Sequence, residues 1–274
     1  MSRTDMQTGT EECLAYEEDG VAVITLNRPQ ARNALTKEML SGLARALDHA
    51  ERSPSVRAVV VTGAGGAFCA GGDVKNMAAR AGTEQPPVDE RIHEQRLSQR
   101  NTAGRMFTMP KPVIAMLPGP AAGAGFSLAL AADLRTMADT AFMTTAFARV
   151  GFSGDYGGTF FLSHLVGLAK AKELYFLSER LSAETCLRLG LANFVFAADQ
   201  LHEQTLALAR RLAAGPTVAY RYMKENLNRA AMGADVMECS DLEVTHHTHT
   251  GLTEDHRNAA QAFVDKREPV FKGR

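Results

Sequence analysis

The chain reads as an α/β layer fold, and three observations lead there. β-Branched runs bounded by glycine or proline recur along its first half, helix-patterned segments lie between them, and the composition is that of an ordinary globular protein. The 274 residues are 45% hydrophobic and 22% charged, enough for one large domain or two smaller ones. A formal net charge of -1 gives no general attraction to nucleic acid or to an anionic membrane. An anionic ligand would therefore need a local cluster of basic groups.

The elements follow in order. Residues 1–15, beginning "MSRTDMQTGTEE", have no apolar stretch or cleavage-site pattern and predict a flexible tail rather than a secretory signal. "GVAVITLNRP" and "VRAVVVTGAG" read as strands, with "KPVIAMLPG" and "DLRTMAD" as shorter ones. Between the first two, Thr36 is a candidate N-cap, Glu38 falls in the first turn, and Leu40, Leu43, Leu47 and Ala50 recur at helical spacing. Residues 112–132 carry no charge and approach the length of a membrane span. Pro118, Gly119, Pro120, Gly123 and Gly125 break that run, which predicts a strand, a tight turn and a buried helix instead.

Arg80 to Asn101 is polar with a Pro-Pro step and leads into an amphipathic helix, which suits either a lid over a pocket or a solvated insertion. From Leu181 the chain becomes mainly helical. Ser182 with Glu184 opens one helix, "DQLHEQTLALARRLAA" stops at Gly215-Pro216, and the last helix starts near Thr253. This divides the chain into a core over 16–200 and a helical region over 201–274, the latter an assembly element or a cover for its own core.

Several familiar chemistries are excluded. Cys13, Cys69, Cys186 and Cys239 are too scattered for a metal site or a disulfide framework, which points to a reducing, cytoplasmic setting. The glycines after "VVVT" fall at 63, 65 and 66, with Phe68 where a dinucleotide fingerprint needs its third glycine. "GFSGD" breaks the nucleophile-elbow pattern around Ser153 at its last position. In "THHTHT", no two of His246, His247 and His249 stand four apart on a helix, so a surface cluster is expected rather than a metal site.

What remains is a pocket chemistry. "AGGDV" and "GAGFS" are small-residue turns that each enter a helix, where free backbone N–H groups can meet an oxygen, or where the glycines simply turn the chain. In "GFSGDYGGTFF", Asp155 is either a helix cap or an acid/base group; the local sequence permits both. Tyr156 beside it could orient a substrate or only pack.

Taken together, "LNRPQARNAL", "VVVTGAGGAFCAGGDVKNM", "KPVIAMLPGPAAGAGFSLALAADLRTMAD", "GGTFFLSHLVG" and "FVDKREPVFKGR" resemble the crotonase (enoyl-CoA hydratase/isomerase) superfamily. The resemblance runs from about Tyr16 to the end. It implies a spiral of ββα repeats with a C-terminal helical region that builds homotrimers or hexamers, and an acyl-CoA thioester substrate with coenzyme A as its only cofactor-like part. By motif match, the N–H groups of Gly72 and Ala124 would form an oxyanion hole for the thioester carbonyl. Arg32 and Lys75 resemble positions near the nucleotide phosphates, Ala70 and Val74 would lie along the pantetheine, and Asp73 in the same turn is placed with them. Phe263 and Lys266 resemble tail residues offered to a neighbouring subunit's ligand.

The chain departs from the family's hydratases, which carry two glutamates where this sequence has Ser127 and Phe147. Hydration needs one group to take a proton from water and a proton source for the α-carbon. Asp155 matches instead a third carboxylate position, used by dienoyl-CoA isomerases, a ring-epoxide isomerase and an aryl-CoA dehalogenase of the family. One carboxylate suffices for isomerisation, so double-bond or ring isomerisation is the favoured activity. An apolar wall such as Phe147 would raise the Asp155 pKa toward a working range. The alternatives are hydration with unusual groups, acyl-CoA hydrolysis, aryl displacement, or a catalytically silent CoA-binding protein.

Overall fold

The computed structural model describes residues 3–79 and 82–274. The chain opens with β1 (Thr4–Met6), β2 (Cys13–Glu18) and β3 (Val21–Leu26), an antiparallel meander, followed by α1 (Lys37–Arg52) and β4 (Ala58–Gly63). Then come α2 (Val74–Ala79), α3 (Val88–Gln99), a π-helical turn at Arg100–Gly104, α4 (Arg105–Thr108), β5 (Val113–Leu117), β6 (Ala121–Ala122), α5 (Ala124–Ala131), β7 (Leu134–Ala138) and β8 (Phe142–Thr144). The remainder is α6 (Gly158–Val166), α7 (Leu168–Leu177), β9 (Leu181–Ser182), α8 (Ala183–Arg188), β10 (Phe194–Phe196), α9 (Leu201–Ala213), α10 (Thr217–Ala231), α11 (Val236–Gly251) and α12 (Glu254–Val264).

Seven strands form one sheet in the order β1-β2-β3-β4-β5-β7-β10, parallel from β3 onward, and β6, β8 and β9 form a small second sheet. The expected strands appear as β3, β4, β5 and β7. Every residue of β4 is buried, because the strand sits mid-sheet with helix α9 packed on it; a strand so placed reads as an unbroken apolar run. On α1, the Thr36 hydroxyl accepts from the Met39 N–H at 3.0 Å, as its sequence position predicts, and Met39, Leu43, Ala46, Leu47 and Ala50 face the core. Ser182 and Thr253 cap α8 and α12 in the same way. Residues 112–132 form strand, turn and buried helix, and no helix among the described residues is long and apolar enough to cross a membrane.

The tail expected over 1–15 is corrected. Thr4, Asp5 and Met6 pair with Glu17, Tyr16 and Ala15 at the sheet edge, and Met6 is buried. The backbone ladder outweighs the weak local propensity of this polar stretch, and the Arg3 guanidinium lies 3.9 Å over the Tyr16 ring. In the expected lid, Arg80 lies outside the described residues; the helix that follows is α3, which buries none of its residues. His246 is also not a surface residue: it is buried, bonded through Nδ1 to Asn226 and stacked on Tyr222. Among the described residues no cluster could hold a metal.

The C-terminal helices leave apolar side chains outside, with Leu227, Met237, Val244 and Leu252 all exposed. An ion pair that is largely but not wholly buried ties them to the core. The Lys224 ammonium on α10 donates to Asp133 (2.8 Å) and to the carbonyls of Met106 (2.8 Å) and Lys111 (3.2 Å), while Asp133 also accepts from the Val113 N–H at the start of β5. Removing one partner strands the other charge in a low-dielectric setting. Lys224→Met is therefore expected to lower unfolding free energy by about 3–5 kcal/mol. Denaturant melts should show Lys224→Met paired with Asp133→Asn recovering much of that loss.

Candidate active site

β4 and β5 are parallel neighbours, so the loops leaving their C-terminal ends emerge side by side. Residues 64–73 follow β4 and residues 118–123 follow β5. The two loops are stitched together: the N–H groups of Phe68 and Cys69 both donate to the Pro120 carbonyl at 3.1 Å, and Ala122 N–H donates to the Cys69 carbonyl at 2.9 Å. Asn33, wholly buried, clamps the first loop from its other side by donating to the carbonyls of Ala64 (2.9 Å) and Ala67 (2.8 Å).

Gly71 sits where the two loops come closest. Its φ is +90°, and a methyl there would lie 2.8 Å from the Ala122 carbonyl oxygen and 3.3 Å from the Ala124 nitrogen, so only glycine fits. The next residue, Gly72, and Ala124 each carry an N–H that donates to no acceptor among the described residues. For Ala124 the reason is its place as the first residue of α5, where no preceding turn supplies a carbonyl. Such a pair of unpaired donors on adjoining loops can grip one oxygen.

Asp155 lies in the irregular segment between a short 3₁₀ turn, Phe147–Val150, and α6. The helix-cap reading fails. Gly157 occupies the N-cap position with φ at 75°, and the Gly158 N–H donates at 3.1 Å to the Asp155 backbone carbonyl, not to its carboxylate. Oδ1 of Asp155 is buried with no hydrogen-bond partner, and burial pushes its carboxyl up to about 6. Tyr156, buried beside it, is held at φ 50°, a conformation a bulky residue adopts only under tertiary constraint.

The Asp155 charge acts on three neighbours, the Cys69 thiol and the Tyr156 and Tyr175 phenols. Phe147 is buried and stacks on Tyr175 of α7, with ring centres 5.8 Å apart and planes within 7°. The Cys69 thiol accepts from the Gly71 N–H at 3.4 Å and is pushed up to about 12, by burial first and then by the Asp155 charge. Ser127, fully buried on α5, has its Oγ 3.5 Å from the Gly123 carbonyl, and Gly158 lets α6 come against it: a methyl there would lie 2.2 Å from that Oγ.

The other sequence candidates fall around the first loop or on the surface. The Ala70 N–H donates to the Arg32 carbonyl at 2.9 Å, joining those two residues. Arg32 and Lys75 are exposed, and among the described residues neither forms a salt bridge; Val74 is also exposed. Asp73 differs from expectation, because its carboxylate is committed to holding the turn. It accepts from the Asn76 N–H at 3.1 Å, capping α2, and pairs with Arg28 at 3.3 Å; both hold its pKa below the usual carboxylate value. Phe263 and Lys266 stand exposed at the end of α12, which packs on α11. A cavity of about 920 Å³ opens beside α10 and α11, between Phe107, Lys224, Met232 and Leu242, but neither Asp155 nor the two free amides line it.

The family model for Enoyl-CoA hydratase/isomerase matches residues 16–274. The chain belongs to that family. It is 35% identical to 1,2-epoxyphenylacetyl-CoA isomerase of Escherichia coli over 96% of this chain and 99% of that one. It is 36% identical to a probable enoyl-CoA hydratase of Rhodobacter capsulatus over 95% and 98% of the respective chains. A crystal structure of a putative enoyl-CoA hydratase from Streptomyces coelicolor superposes with a TM-score of 0.89 at 34% identity, covering 96% of this chain and 94% of that one. The family and the α/β fold class expected from the motifs therefore hold.

Sequence reasoning missed three residues that shape the site: Asn33, Cys69 and Tyr175. Asn33 and Cys69 sit inside quoted motifs but act through tertiary contacts, and Tyr175 lies in a helical stretch, "KELYFLS", with no local signal.

The unpartnered Asp155 carboxyl has a pH signature. Its raised value means the folded state holds a proton that the unfolded chain has already lost, so its contribution to stability is fully present below about pH 4 and is lost as pH rises through about 6. Asp155→Asn removes that dependence. From pH 4 to pH 7 the variant should gain on the wild type by at most about 3 kcal/mol, less where water reaches the site. Urea unfolding across this range measures it; a constant difference between the two proteins would show that the carboxylate is solvated or paired.

Proposed function

We propose that this protein isomerises an acyl-CoA thioester, with Asp155 as its single acid/base. One observation carries the reading: a half-buried carboxylate whose Oδ1 is buried and has no partner among the described residues, raised to about 6, in a chain that places two unpaired amides on adjoining turns. In this reading the thioester oxygen accepts from the N–H groups of Gly72 and Ala124. Asp155 takes a proton from one acyl carbon, the electron pair moves onto that oxygen as an enolate, and the same proton returns to another carbon as the pair flows back. No atom is gained or lost. Each amide stabilises charge only as it develops, and loss of one such donor in other enzymes costs about 3 kcal/mol.

Hydration is disfavoured because Ser127 and Phe147 supply no carboxylate, and a buried phenylalanine suits an acyl chain. The relatives carry both isomerase and hydratase in their names, so the family alone does not choose between the two. For the rest of the ligand, the exposed Arg32 and Lys75 would meet the nucleotide phosphates, and Ala70 and Val74 the pantetheine. The apolar surface of α10, α11 and α12 would be covered in a homotrimer or hexamer that carries Phe263 and Lys266 to a neighbour's ligand.

Asp155→Asn separates the possibilities. With a 3-enoyl-CoA substrate, isomerisation should fall by about 10²–10⁴ while affinity for the thioester stays within a few-fold. In the wild type, kcat/KM should be constant above about pH 6 and drop tenfold per pH unit below it, because the base must be ionised. Full activity in Asp155→Asn, or crotonyl-CoA hydration at ordinary enzyme rates in the wild type, would contradict the proposal.

A further inference from the structure

We propose that Tyr175 is a specificity-determining residue, whose hydroxyl, with Ser127 Oγ beside it, hydrogen-bonds an oxygen substituent on the acyl group next to the reacting carbon. The preferred substrates are then acyl-CoA thioesters bearing a hydroxyl or ether-type oxygen, over plain hydrocarbon chains. This rests on the acyl-CoA reading above.

Tyr175 reaches the site from α7, an element that carries none of the other residues in question. Its ring is fixed on one face by the parallel stack with Phe147. The end of α7 is fixed as well. Thr145 Oγ1 donates to the Leu174 carbonyl at 2.8 Å, and Thr144 Oγ1 donates to the Ser178 carbonyl at 3.1 Å, so the residues flanking Tyr175 are pinned to β8 and the segment after it.

The glycines around Asp155 locate the hydroxyl. A methyl on Gly154 would lie 3.4 Å from it, and one on Gly158 would lie 2.7 Å from it and 2.2 Å from Ser127 Oγ. Gly154 and Gly158 bracket Asp155 in the chain, so the phenol and the serine hydroxyl reach the same small region as the carboxylate. Any larger residue at Gly158 would push both hydroxyls away.

Neither hydroxyl is well used. Tyr175 OH is buried and meets no acceptor in full hydrogen-bond geometry among the described residues; Ser127 Oγ lies close enough to lower its pKa as a lesser effect, and the serine's own bond is a long 3.5 Å contact to the Gly123 carbonyl. Native structures rarely leave buried donors unmet, and those that persist ask for a partner the protein does not itself supply. Burial and the neighbouring Asp155 charge push the phenol up to about 12, so it stays a donor at any working pH. An acyl oxygen beside the carbon that Asp155 serves would accept from it. A hydrocarbon chain would leave the phenol unmet, and sites built around such a bond discriminate strongly against ligands that lack it.

The test uses Tyr175→Phe, which keeps the ring stack and removes one oxygen. Binding of butyryl-CoA and of each enantiomer of 3-hydroxybutyryl-CoA is measured by calorimetry on the full chain. The expected result is a loss of about tenfold or more for one hydroxyacyl enantiomer, with butyryl-CoA affinity unchanged within twofold. Ser127→Ala should shift affinities in the same direction by a smaller factor. Equal loss for all ligands, or no loss for any, overturns the proposal. Because binding is read without turnover, an Asp155→Asn variant that remains active would refute the isomerase mechanism and leave this result standing. Failure of every thioester to bind the wild type would refute both.

Discussion

The site depends on how closely two loops can lie. Parallel pairing of β4 and β5 brings their C-terminal ends together, but the distance is closed by hydrogen bonds from Phe68, Cys69 and Ala122 across the gap and by a glycine at 71 that adds no atom to it. With a side chain at Gly71 the Ala122 carbonyl would have to move, and α5 with it. The free donors thus follow from backbone packing, and they need no polar side chain to exist.

Asp155 shows the opposite strategy, a side chain deprived of support. An aspartate near a helix start would ordinarily accept from the first N–H groups and become more acidic. Here Gly157 takes the cap position and the Gly158 N–H goes to the Asp155 backbone carbonyl, so the carboxylate keeps no donor. Cys69, Tyr156 and Tyr175 lie near enough to feel its charge, yet among the described residues none of them donates a hydrogen bond to it. The resulting rise toward neutrality costs the fold stability, and in the proposed mechanism it is what would give an acid/base group its working range.

Much of this was legible in the sequence. The strands β3 and β4 announce themselves as β-branched runs, Thr36 marks the start of α1, and the glycine-rich turns mark both amide donors. The edge strand β1 was not, because Thr4, Asp5 and Met6 have no strand pattern and are held by the ladder of β2. The small sheet of β6, β8 and β9 uses strands of two or three residues, too short for any period to register. For Asp155 the local sequence allowed a cap or a reagent, and the geometry of Gly157 removes the cap. Tyr175 carries no motif at all; it matters because α7 happens to lay it against Phe147.

The proposed acid/base role of Asp155 rests on a half-buried carboxyl whose Oδ1 has no partner among the described residues. The most direct measurement is a carbon-13 NMR titration of aspartate-labelled protein, with the Asp155 resonance assigned through Asp155→Asn. A midpoint near 6 that moves further when an unreactive acyl-CoA fills the pocket is the predicted result. A midpoint at or below the ordinary aspartate value of about 3.9 would mean that the carboxylate has found a donor, and would contradict the account.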